Sequence, residues 1–117
     1  MSVPKHELSH LWKLSDGDLM QEARIFGRRL RGHAAFQNVG PHVPVGDTFD
    51  TLADILGEKS NAAKGGGKRM VEDRDKAREN IFTAFTFAGQ HSVMIATHEN
   101  NPSLMDIGYE LRHRTYT

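Results

Sequence analysis

The chain has 117 residues, a length that fits one domain with a modest core. Lysine plus arginine and aspartate plus glutamate both total 15, so the net charge gives no attraction to nucleic acid or to an anionic membrane. The absence of cysteine excludes disulfides, thiolate metal sites and covalent c-type haem attachment. The first ten residues show no apolar run typical of a signal peptide, so a cytoplasmic protein is the default expectation.

The first helix is predicted from about Asp16 to Ala35, after an N-terminal arm of residues 1–14. Ser15 is placed to cap its first turn, and Asp18 follows at the spacing of a capping box. A helical apolar stripe then recurs at spacings of four, three and four, at Leu19, Ala23, Phe26 and Leu30.

The second helix is predicted after the loop 38–46, whose two prolines and two glycines exclude a helix. Asp47 is its expected cap, and its apolar stripe consists of Phe49, Leu52, Ala53 and Leu56. It is expected to end at residues 64–68, where three glycines stand between two lysines. A phosphate-binding loop would need a preceding strand and a hydroxyl residue in place of Arg69, so we interpret these glycines as a helix–helix turn.

The third helix is predicted from about Arg69 to His98. Its first part is rich in charges of both signs, as a solvent-exposed face usually is. From Asn80 to Thr97 it has no Asp, Glu, Lys or Arg, yet its polar residues are too many for a membrane span. Because this part is apolar on nearly every side, we expect it to be covered on every side.

The third helix should stop at Asn100-Asn101-Pro102, because asparagine readily adopts a left-handed cap and proline cannot continue a helix. Ser103 and Asp106 then have the capping-box spacing for one more short helical turn. These elements make up a bundle over residues 15–107. The tail 108–117 alternates apolar and polar residues, which predicts a short strand that the N-terminal segment could pair with.

Several segments together resemble a bacterial family of small helical-bundle domains that are often found N-terminal to a fibronectin type III domain. They are LSDGDLMQEAR, GHAAF, DRDKAREN and the closing IGYELR, which carries the Gly-aromatic-Glu-aliphatic-Arg pattern at Gly108–Arg112. The resemblance covers roughly Trp12 to His113 and implies the fold and a structural or surface-presentation role, with no assigned reaction. The chain departs from the family in having no fibronectin domain after Arg112 and in its three phenylalanines at 82, 85 and 87. Both departures favour a stand-alone protein that buries its last helix against another copy.

Two Glu-x-x-His pairs, Glu7/His10 and Glu110/His113, are weak candidates for metal binding. In di-iron bundles such pairs lie on the inward faces of long helices, whereas both pairs here lie in terminal segments outside the bundle. On a strand, residues three apart would also point to opposite faces. We therefore interpret them as surface residues and expect no metal and no cofactor.

The functional prediction is a non-enzymatic structural or protein-interaction module. No nucleophile and base can be paired, because Ser92 and His91 are adjacent on a helix and do not face each other. The basic run 28–33 closes a helix, where cations complement the helix dipole, so it does not indicate a nucleic-acid site.

The predicted fold is an all-α three-helix bundle with a short fourth helical turn. Its long third helix is expected to mediate self-association into a homodimer or a larger assembly. The predicted interface residues are Phe82, Phe85, Phe87, His91, Met94 and His98. Phe87 and Met94 are the favoured outward pair, and His91 and His98 are interpreted as satisfied polar positions rather than ligands across a dimer axis. The alternative function is a small helical protein that binds a metal ion or an apolar cofactor through this helix.

Overall fold

Three α-helices dominate the computed structural model, which describes residues 5–109 and 111–112. They are α1 (Asp16–Arg31), α2 (Gly46–Gly65) and α3 (Lys68–His98). Short 3₁₀ helices lie at Ser9–Lys13, Ala34–Phe36 and Pro102–Met105. A two-residue strand, β1 (Lys5–His6), pairs antiparallel with β2 (Leu111–Arg112). The predicted all-α class, the three-helix bundle, the short fourth turn and the pairing of the terminal segments are therefore confirmed.

The centre of the core is an aromatic cluster to which each helix contributes one phenylalanine. Phe26 of α1 stacks on Phe85 of α3 with ring centroids 4.6 Å apart, and Phe49 of α2 meets Phe26 edge-on at 4.9 Å. All three side chains are fully buried. Tyr109, which follows α3, closes the cluster with its ring 5.5 Å from Phe26. These contacts fix the three helices relative to one another.

Two buried glycines let α1 and α2 approach closely. A β-carbon added at Gly27 would lie 2.9 Å from the carbonyl oxygen of Gly46 and 3.3 Å from Cβ of Phe49. Both distances are shorter than ordinary van der Waals contact. The crossing of these helices therefore requires the absence of a side chain at Gly27.

The start of α1 was predicted correctly, but its end was not. Ser15 Oγ accepts a hydrogen bond from the Asp18 N–H at 3.2 Å, as expected of an N-cap. The helix ends at Arg31, four residues before the predicted Ala35. The reason is that His33 caps a separate 3₁₀ helix, accepting the Ala35 N–H on its Nδ1 at 3.1 Å.

The predicted cap of α2 is wrong, because the helix already begins at Gly46 and Val45 occupies the N-cap position. The Val45 N–H donates to Thr48 Oγ1 at 3.1 Å, so a residue inside the first turn provides the capping contact. Asp47 instead accepts a hydrogen bond from Arg31 of α1 at 3.0 Å. The predicted end at the glycine turn is confirmed, since α2 ends at Gly65.

The end of α3 has the geometry that its Asn-Asn-Pro sequence predicts. Asn100 has a positive φ of 52°, and the N–H of Asn101 donates to the Ala96 carbonyl at 2.9 Å. This is the bond that defines a Schellman cap. The 3₁₀ helix that follows starts at Pro102, and Ser103 is not its cap as predicted, because its hydroxyl donates to Asn101 Oδ1.

The segments that flank the bundle cover part of α3. His6 of β1 lies over the helix, its Nδ1 2.9 Å from where a β-carbon on Gly89 would be. The Trp12 ring stacks on Phe82 with centroids 3.9 Å apart. Arg78 holds this segment in place through bonds to the Leu14 carbonyl at 2.7 Å and to Asp16 at 2.8 Å. A large part of the apolar surface of α3 is therefore covered from within the chain.

Candidate interaction surface on the third helix

The exposed residues of α3 change character half-way along the helix. In the first half they are mostly charged, namely Lys68, Arg69, Glu72, Asp73, Asp75, Lys76 and Glu79. From Asn80 to His98 the helix has no Asp, Glu, Lys or Arg, although many of its residues are exposed. A solvent-facing helix surface normally carries charged residues, as the first half of this helix does. The exposed face of the second half is therefore unlike an ordinary solvent-facing helix surface.

Six of the exposed, uncharged residues form one continuous line that we call the α3 seam. Its members are Asn80, Thr83, Phe87, Gln90, Met94 and Thr97, at spacings of three, four, three, four and three. This is the spacing of residues that face a second helix along its length. Phe87 is 52% exposed and Met94 is 59% exposed, the two largest apolar side chains on the seam.

Two threonines make this face less polar than its sequence suggests. The Thr97 hydroxyl donates to the Val93 carbonyl at 2.8 Å, and the hydroxyl of Thr86, beside the seam, donates to the Phe82 carbonyl at 3.0 Å. A hydroxyl bonded to its own helix is not directed toward a solvent molecule or a partner. These positions therefore contribute their methyl groups to the surface.

The predicted interface residues divide into two groups, and part of that prediction is wrong. Phe85 is fully buried in the aromatic cluster and Phe82 is buried under Trp12, so neither is accessible to a partner. His91 belongs to the fold, because its Nε2 lies 2.6 Å from the Ala35 carbonyl and its ring packs on Phe36. The remaining three, Phe87, Met94 and His98, are exposed on one side of α3.

The side chains of the first metal candidate pair are engaged with different neighbours. Glu7 accepts hydrogen bonds from the backbone N–H and the hydroxyl of Ser9, at the start of the first 3₁₀ helix. The His10 ring instead lies 5.8 Å from the Tyr109 ring. Glu110 and His113 lie outside the described residues. Among residues 5–109 and 111–112, no cluster of three or more His, Cys, Asp or Glu side chains is arranged to hold a metal ion.

Three polar groups with shifted pKa values stabilise the fold. Burial raises the pKa of Tyr109, and the hydrogen bond that its hydroxyl donates to Glu22 at 2.6 Å raises it further. Burial also opposes ionisation of Asp16, but bonds from Ser60 and Arg78 outweigh it and lower the pKa of that carboxyl. Burial lowers the pKa of His6, whose Nε2 lies 2.7 Å from the Met105 carbonyl. Tyr109 joins the segment after α3 to α1, Asp16 joins the three helices, and His6 joins the two flanking segments, so these groups do not converge on one site.

A cleft of about 360 Å³ lies between the end of α1 and the start of α2. Leu30, Phe36 and Val45 provide its apolar lining, and Arg31 is its cationic side chain. Arg31 already forms ion pairs with Asp47 and Asp50. These two carboxylates balance the positive charge of Arg31, so the cleft does not indicate a site for an anionic ligand.

Within the described residues, no helix combines the length and apolar character that crossing a bilayer requires. Comparisons of the chain with protein-family profiles, with curated proteins and with solved structures gave no match.

Proposed function

We propose that the protein is a non-enzymatic structural or interaction module that self-associates through the α3 seam. The observation that carries this proposal is the exposure of Phe87 and Met94, 52% and 59%, on a helix face without charge. Exposed apolar side chains that share one helix face are a feature of partner surfaces. The resemblance to bacterial helical-bundle domains with a structural role agrees with this proposal.

The energy available from the seam is sufficient for a weak, reversible association. A fully buried phenylalanine removes about 150–250 Å² from water, so the exposed half of Phe87 corresponds to roughly 100 Å². At about 25 cal/mol per Å² this contributes roughly 2–3 kcal/mol, and Met94 contributes a similar amount. A two-fold dimer contains two copies of each side chain, so both contributions count twice. Because association itself costs several kcal/mol, we expect dissociation constants in the micromolar to sub-millimolar range.

A second copy of the chain is the partner that this surface fits best. A surface without charge offers no electrostatic basis for selecting a different protein. Closed two-fold dimers are the commonest assembly of identical chains, and they require a surface patch that is complementary to itself. We expect no nucleic-acid partner, since the chain has no net charge.

The experiment is a comparison of molecular mass by sedimentation equilibrium at several concentrations. Replacing both Phe87 and Met94 by Glu places four like charges in the dimer interface and should leave a monomer at every concentration. The matched control replaces Met70 and Val71 by Glu, since these are exposed apolar residues on α3 outside the seam. The control should self-associate like the unmodified chain.

Three results would overturn the proposal. One is an unmodified chain that stays monomeric up to about 500 μM, the upper end of the expected range. The second is a seam variant that associates as well as the control. The third is an equal loss of association in both variants, which would mean that surface charge alone, and not the seam, governs assembly. Helical circular dichroism of both variants checks that each one folds.

A further inference from the structure

The order of residues along the α3 seam points to the orientation of the two copies, an inference that rests on the proposed function. We infer that two α3 helices pair antiparallel, with Phe87 of each copy against Met94 of the other. The two-fold axis then passes between Gln90 and His91, the midpoint of Phe87 and Met94 in the sequence. Each half of the dimer receives one phenylalanine–methionine contact, a favourable sulfur–aromatic pair.

The charges of the first half of α3 disfavour a parallel pair. The line of the seam continues backwards through Lys76, Asp73 and Arg69, at spacings of four, three and four, and all three are exposed. In a parallel two-fold pair each of these charges would face the identical charge of the second copy. Like charges that face each other at helix-contact distance repel, and here the repulsion would be repeated at three successive positions.

An antiparallel pair avoids this repulsion because of where α3 ends. With the axis between residues 90 and 91, Thr83 lies level with His98 of the second copy, and α3 ends at His98. The overlap is therefore residues 83–98, about 24 Å of helix at 1.5 Å per residue. Lys76, Asp73 and Arg69 all lie beyond the end of the opposing helix. The helix dipoles also oppose each other, which favours the antiparallel arrangement.

The uncharged stretch of α3 matches this overlap in length. Charged residues begin at Glu79 on one side and at Glu99 on the other, just outside residues 83–98. A parallel contact along the whole of α3 would need uncharged residues in the first half of the helix as well. The limits of the uncharged stretch thus agree with a short, antiparallel crossing.

The test measures the orientation of the two helices in the otherwise unmodified chain. Because the sequence has no cysteine, Asn80→Cys accepts a single spin label at an exposed position. Antiparallel pairing puts the two label sites about 32 Å apart along the helix, whereas parallel pairing puts them about 10 Å apart, close to the spacing of packed helices. A dimer with the short distance would overturn the antiparallel inference and leave the proposed function intact. A labelled chain that stays monomeric, together with a monomeric unmodified chain, would instead overturn the proposed function.

Discussion

Replacing Gly27 by alanine tests the closest approach in the fold, the crossing of α1 and α2. The new β-carbon would stand 2.9 Å from the Gly46 carbonyl oxygen, and that oxygen belongs to backbone that cannot rotate away. Overpacking of this kind costs about 1–3 kcal/mol. Alanine favours the helix over glycine by about 0.5–1 kcal/mol, which offsets part of that cost. We therefore expect a net loss of up to about 2.5 kcal/mol in the free energy of unfolding, combining these two effects.

Gly17 provides the matched control, because it lies in the same helix and has no atom within 4 Å of an added β-carbon. Gly17→Ala should leave the protein as stable as before or stabilise it by up to about 0.5–1 kcal/mol. Urea denaturation of the three proteins, monitored by circular dichroism at one fixed concentration, measures both effects. If Gly27→Ala is as stable as Gly17→Ala, the close approach of the two backbones is not a feature of the folded protein, and the reasoning is refuted.

Three further predictions concern single polar contacts. Ser15→Ala removes the side-chain acceptor at the start of α1 and should cost about 1 kcal/mol; an unchanged urea midpoint would contradict the cap. Tyr109→Phe removes the bond to Glu22 and should also cost about 1 kcal/mol, and replacing Glu22 by Gln in the Phe variant should then have little further effect on the urea midpoint. Burial lowers the pKa of His6 in the folded state, so the unfolded state binds more protons. The contribution of His6 to stability is therefore complete above about pH 6.5 and is lost as the pH falls below that value. His6→Gln should therefore reduce the loss of stability on acidification, measured as the fall in the urea midpoint between neutral and mildly acidic pH; an undiminished fall would contradict the burial of His6.

Local signals in the sequence were enough to predict most helix boundaries. Ser15 and Asn100 act through atoms within five residues of themselves, so their caps can be read directly from the chain. The end of α1 was missed because His33 caps a separate turn, and histidine is not among the usual capping residues. Asp47 was assigned as a cap because of its residue type, but an ion pair with Arg31 engages it instead.

The contacts that decide which residues are exposed join distant parts of the chain and could not be predicted from periodicity. Phe82 is covered by Trp12, seventy residues earlier in the sequence, and neither residue type indicates the other. His91 was placed on the interface because it shares a helix face with His98, yet the turn around Ala35 folds over it. The prediction for Phe87 and Met94 succeeded in placing them on the outside because no segment of the described chain covers them. The periodicity of apolar residues therefore identified the apolar helix, and tertiary contacts determined which part of that helix stays exposed.

The rate at which Met94 is oxidised measures most directly whether the α3 seam is covered in solution. Met94 and Met70 are both exposed in a single copy, 59% and 45%, and both lie on α3, so Met70 provides an internal reference in the same molecule. Dilute peroxide converts exposed methionine to its sulfoxide, and peptide mass spectrometry gives the rate at each position. If the seam is a self-association surface, the rate at Met94 relative to Met70 will fall several-fold as the protein concentration rises from about 5 to about 500 μM, the range in which so small an interface should form. A ratio that stays constant over this range would contradict self-association through the seam.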